Sequence, residues 1–86
     1  MNKKYVTLPQ KWSEYLVNKH ETGMDYHVVS LTLKNGTKIN DVAIVGCHII
    51  GEIREVGIIE DESDIPFSPD EIVKIDITHR KWAFKR

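Results

Sequence analysis

Apolar and polar positions follow two successive periods along the chain, first helical and then alternating. Between Leu8 and Lys19 the larger side chains return at helical spacing, with Trp12, Tyr15, Leu16 and Lys19 on one side and the stem of Lys19 lying along the stripe. Thr7-Leu8-Pro9-Gln10 has the Thr-x-x-Gln form of a capping box with proline in the first turn, so a helix is predicted to begin there after a short extended piece, Tyr5 to Leu8. Gly23 is the first later residue that takes a positive φ without strain, which predicts a helix end at about His20 to Thr22.

From Tyr26 the period is two: His27, Val29, Leu31 and Leu33 fall on one face and Tyr26, Val28, Ser30 and Thr32 on the other, the pattern of a half-buried strand. Lys34-Asn35-Gly36-Thr37 signals a hairpin. A two-residue turn would set Leu33 opposite Lys38 and put a charge in the apolar row. A three-residue turn with Gly36 as a bulge instead pairs Leu33 with Thr37 and Leu31 with Ile39, and is preferred. The second strand then turns Ile39, Ala43 and Val45 to the core, with Asp41 a misfit that needs an edge or a partner. Val42 to Val45 is apolar on both faces, so this stretch is expected to be covered twice, by the chain's own sheet or barrel and by either the helix or a partner lying over Val42 and Ile44.

Gly46-Cys47 turns the chain into a third strand at about His48 to Arg54, with a possible fourth from Glu55 to Ile59. Glu60 to Asp64 is a polar loop. Ser68-Pro69-Asp70-Glu71 repeats the capping-box form, but only one turn fits before alternation resumes, with Val73, Ile75 and Ile77 predicted to face inward. The fold class that follows is α+β, mainly β: a strongly curved antiparallel sheet or small barrel with one N-terminal helix, in a single domain spanning residues 1–86.

Composition narrows the function classes. A lone Cys47 leaves no internal disulfide and no multi-cysteine metal framework, pointing to a reducing compartment with the cytoplasm as default. No apolar run reaches membrane-spanning length, and no signal-peptide core follows the basic start, so neither a membrane nor an export role is expected. Net charge is −1, but residues 52–71 carry −7 while residues 1–20 and 72–86 carry +3 and +4. Arg80, Lys81, Trp82, Lys85 and Arg86 therefore form a candidate nucleic-acid surface of basic and aromatic groups. Solvated chain ends are the plainer explanation, and the acidic segment in the same small body weakens any field that would steer a phosphate backbone.

No catalytic set emerges. The histidines, His20, His27, His48 and His79, lack the helical spacing of a zinc protease, and Cys47 has no base beside it in sequence. Gly46 to Ile53 has the glycine spacing of a phosphate loop but Glu52-Ile53 where Lys and Ser or Thr are required. No cofactor is expected. A site that joins His27, His48, Cys47 or Glu21 requires long-range folding to assemble it.

The segment Glu21-Thr22-Gly23-Met24-Asp25-Tyr26-His27 resembles a Glu-Thr-Gly-Met-Gly-Tyr junction found in a family of small uncharacterised bacterial proteins, and the Leu-Pro helix, Leu-Lys-Asn-Gly hairpin and Ile-Pro-Phe lead-in to the last strand extend the likeness over most of the chain. Asp25 stands where that junction has a second glycine, implying a less strained backbone there. The resemblance implies a compact fold and no activity. The hairpin pattern and final Ile-x-x-Ile strand are also distantly similar to Sm-like and SH3-like barrels. Glu21, Thr22, Tyr26 and His27 gather polar groups at the helix–strand corner and are the candidate binding residues. Three functions follow: a non-catalytic interaction module with a protein partner or a second copy, an RNA- or DNA-binding Sm-like module, and a small metal-binding protein or enzyme using the Glu21/Tyr26/His27 corner.

Overall fold

The computed structural model describes residues 6–82. One helix, α1 (Gln10–Val17), precedes strands β1 (Tyr26–Leu33), β2 (Lys38–Val45), β3 (Ile49–Ile53), β4 (Gly57–Ile58) and β5 (Ile72–Ile77), with two short 3₁₀ turns between β4 and β5. The five strands form one antiparallel sheet in the order β4-β3-β2-β1-β5, open at its β4 and β5 edges. The architecture is α+β and mainly β. No helix among the described residues is long and apolar enough to cross a membrane.

The helix is shorter than the periodicity predicts. Thr7 bridges Ile49 of β3 instead of capping the helix, Pro9 occupies the cap, and the helix ends at Val17. Only Leu16 of its stripe is fully buried. Trp12 packs partly against the core, and Tyr15 stays exposed with its ring edge-on to Trp12. Gly23 ends no helix and is not among the residues at positive φ; it sits against the Tyr26 ring, which a Cβ at position 23 would meet at 2.4 Å. Asp25, in contrast, has φ 65, so the position where the resemblance expects glycine does take the glycine-favoured conformation. Its backbone carries the strain that the substitution seemed to remove.

The β1–β2 hairpin has the bulged turn: Leu31 pairs with Ile39, the Leu33 N–H donates to the Thr37 carbonyl at 2.8 Å, and Gly36 has φ 89. Beyond Ile39 the predicted facing fails. Val29 pairs with Val42, so Asn40 and Asp41 together oppose Ser30, and the extra residue reverses the parity of the rest of β2. Val42 and Ile44 thus belong to the core, while Ala43 lies with Val28 on the other face. A partner over Val42 and Ile44 has no place there, because both are fully buried by this chain's own helix and strands. A second bulge, between Thr32/Lys74 and Leu33/Ile72, leaves Val73 unpaired and exposed, so Ile72 rather than Val73 points inward beside Ile75. β1, flanked by β2 and β5, is also covered on both faces, with Val28 as fully buried as Val29.

Candidate functional site

The helix–strand corner is built by the start of β1. Tyr26 and His27 are successive strand residues, so their side chains leave opposite faces, and the predicted cluster divides. Glu21 and His27 border one pocket, Tyr26 borders a cleft on the other face, and Thr22 borders both. The Thr22 hydroxyl oxygen accepts from the Val28 N–H at 2.8 Å and lies 2.8 Å from His79 Nδ1, tying the corner to the residues after β5.

On the first side, hairpin register brings Cys47 to His27. β1 begins beside the end of β2, with His27 opposite Ile44 and Tyr26 opposite Val45, and the next turn of chain carries Gly46 and Cys47. In that turn the His48 N–H donates to the Val45 carbonyl at 3.2 Å, and Gly46 and Cys47 have φ 60 and 67. Cysteine thus occupies a left-handed position that glycine or asparagine fills at less cost. One ligand-type atom from each of Glu21, His27 and Cys47 lies within 4.8 Å of the others. The His27 ring is wholly inaccessible to solvent. Its Nε2 lies 3.1 Å from the Lys19 carbonyl, whereas Nδ1 is buried with no hydrogen-bond partner. A carbonyl only accepts, so Nε2 is the donor of this pair, and in the neutral form of the ring the lone pair then lies on Nδ1. Leaving such a group unsatisfied costs about 1–3 kcal/mol. Burial pushes the Cys47 thiol above its ordinary range, and the carboxylates of Glu21 and Asp25 add to the rise, so the metal-free side chain is a protonated thiol and not an activated nucleophile.

On the second side, residues after β5 fold back across the sheet. The Thr78 and His79 N–H groups both donate to the Val28 carbonyl, Arg80 Nε approaches Asp41 Oδ1 at 3.5 Å, and Arg54 Nη2 donates to the Lys81 carbonyl at 2.6 Å. The Arg80 contact is an ion pair without hydrogen-bond alignment, for the same Asp41 oxygen counts as buried and unbonded. Asp41, the predicted misfit, thereby finds its partner. The Arg54 guanidinium lies over the Trp82 ring, 4.6 Å from its centroid, and Trp82 Nε1 donates to the buried carboxylate of Glu52 at 3.3 Å. Tyr26, Glu52, Arg54, His79, Lys81 and Trp82 line a cleft of about 750 Å³.

Of the predicted nucleic-acid residues, Arg80, Lys81 and Trp82 are therefore tied to the sheet, while Lys85 and Arg86 lie outside the described residues. His48 turns back to its own loop, 2.9 Å from the Gly46 carbonyl, and takes no part in the His27 pocket. Within the acidic 60–64 loop, Asp61 accepts from the Ser63 N–H, and Asp64 accepts from the N–H groups of Glu60 and Asp61. Sequence reasoning missed Glu52, whose signal was a carboxylate inside the otherwise apolar β3, and Arg54, in the turn that follows that strand. Comparison with protein families, curated proteins and solved structures finds no match to this chain.

Proposed function

We propose that this chain is a non-catalytic interaction module whose contact surface is the cleft between Tyr26 and Trp82, and that its partner presents an acidic segment flanked by apolar residues. The observation that carries this reading is the Arg54–Trp82 stack. Arg54 is exposed, its side chain is fixed by the ring beneath it and by the Lys81 carbonyl, and a guanidinium so held offers its remaining donors to a carboxylate at little entropic cost. Lys81 adds positive charge beside it, and the Tyr26 and Trp82 rings supply the apolar contact. As a free peptide, the 57–66 sequence is an acidic segment with apolar residues on both sides and so carries that chemistry.

A second reading, an Sm-like module that binds RNA, draws support from the sheet order. Four strands follow in hairpin sequence and the fifth returns to the free side of the first, behind an N-terminal helix, which fits the distant likeness to Sm-like and SH3-like barrels. The −7 charge of residues 52–71 speaks against strong phosphate binding. Titration with a synthetic peptide matching residues 57–66 and with an oligouridylate, each at low and at about 0.15 M salt, separates the two. The proposal expects saturable peptide binding that Arg54→Ala weakens and little RNA binding at the higher salt. Tight, salt-sensitive RNA binding without peptide binding would overturn it in favour of the Sm-like reading.

A further inference from the structure

We propose that Glu21, His27 and Cys47 form a mononuclear binding site for a divalent transition metal of the zinc class, with three protein ligands and a fourth position open to the adjoining pocket. The cleft reading above does not depend on it, because Arg54, Trp82 and Lys81 lie on the other face of the sheet.

The donor set suits that class of ion: an imidazole nitrogen, a thiolate and a carboxylate oxygen are the ligands zinc takes, and hard cations such as calcium and magnesium do not seek the first two. Distance fits as well. Bonds of about 2.0–2.3 Å place the ligands of a tetrahedral zinc roughly 3.3–3.8 Å apart. The three candidate atoms already lie within 4.8 Å of one another, and Glu21 is exposed and free to close the remainder.

The observation that turns a cluster into a site is His27. Its ring is wholly buried, its Nδ1 has no partner, and its Nε2 lies against a backbone carbonyl. Metal-ligating histidines are held in this manner, one nitrogen donating to a carbonyl so that the other turns its lone pair to the ion. An apolar side chain fills a core position without an orphaned nitrogen, so packing alone does not account for histidine there. Val17, Lys19 and His20 line the same pocket, of about 570 Å³, leaving room for a water or a ligand's donor atom in the fourth position. On binding, the Cys47 proton leaves to solvent and thiolate, carboxylate and cation sum to neutrality.

Cobalt(II) is the probe. Metal-stripped protein titrated with cobalt is expected to bind one equivalent, with an intense thiolate-to-cobalt band in the near ultraviolet and the visible bands of tetrahedral coordination, and zinc is expected to displace it. Cys47→Ser should remove the thiolate band, and Glu21→Gln should weaken binding by about tenfold or more, as losing a ligand must cost at least what disturbing its outer shell does. Both positions are accessible enough to be altered without opening the core, unlike His27, and thermal unfolding in chelator confirms that each variant is folded. Zinc should also raise the melting temperature of the unaltered chain and leave that of Cys47→Ser nearly unmoved. Absence of saturable one-to-one uptake, persistence of the band in Cys47→Ser, or unchanged affinity in Glu21→Gln would each overturn the three-ligand site.

Discussion

The His27 imidazole and the Lys19 carbonyl meet at 3.1 Å across the loop between α1 and β1, joining two residues eight positions apart. That contact orients a buried ring and fixes which of its nitrogens donates, leaving Nδ1 buried and without a hydrogen-bond partner. It also anchors the chain just after the helix, where Asn18 caps α1, the Lys19 N–H donates to the Leu16 carbonyl, and the chain turns toward β1.

The hairpin turn offers the first test. Gly36 has φ 89 and nothing stands within 4 Å of where its Cβ would be, so the cost of a side chain there is conformational alone. Gly36→Ala is expected to destabilise by about 1 kcal/mol in denaturant unfolding. A neutral result would contradict the bulged turn.

The junction behaves differently at its two unusual positions. At Gly23 the obstacle is the Tyr26 ring, 2.4 Å from the added Cβ, so Gly23→Ala is expected to displace that ring and destabilise by about 1–3 kcal/mol. Combining it with Tyr26→Ala should give a smaller total than the two losses summed. At Asp25 the φ of 65 already suits glycine, so Asp25→Gly is expected to be neutral or stabilising by up to about 1 kcal/mol.

Ile44 tests the parity reversal in β2. It is fully buried in the core, so Ile44→Lys is expected to cost about 4 kcal/mol or more and to yield an unfolded or aggregating chain. A folded, monomeric Ile44→Lys protein would mean that this side chain faces outward.

The Cys47 thiol links stability to pH in the metal-free protein. Burial, then Glu21, then Asp25 raise its folded-state value above that of the unfolded chain, so the folded state favours the protonated form. The resulting stability is fully present below the unfolded thiol's range and is lost as pH rises through the folded value. Denaturant midpoints measured from neutral to alkaline pH should therefore show a loss that Cys47→Ser lacks. Asp25→Asn should shift the onset of alkylation by iodoacetamide to lower pH, since it removes a like charge beside the thiolate.

Some of this was legible in the chain. Asn35-Gly36 fixes the first hairpin, because the competing turn sets Lys38 against Leu33 and that mismatch can be read from the residues alone. The reversal beyond it was not legible. A bulge at Asn40 and Asp41 leaves no mark except a charged residue where an apolar one should stand, and alternation carried past it puts Val42 and Ile44 on the wrong face. Val73 was misplaced for the same reason. At the corner, the residue types were visible but their meeting was not. Glu21, His27 and Cys47 converge only through the pairing of Tyr26 with Val45, and Tyr26 separates from His27 because neighbours in a strand face apart.

The measurement that reaches the central claim most directly is a long-range nitrogen–proton correlation spectrum of His27 in the metal-stripped protein and after one equivalent of zinc. Without metal, the hydrogen is expected on Nε2, held by the Lys19 carbonyl, with Nδ1 unprotonated. With zinc, Nδ1 is expected to shift as a coordinated nitrogen while Nε2 keeps its hydrogen. A hydrogen found on Nδ1, or an Nδ1 signal that zinc leaves unmoved, would contradict the account.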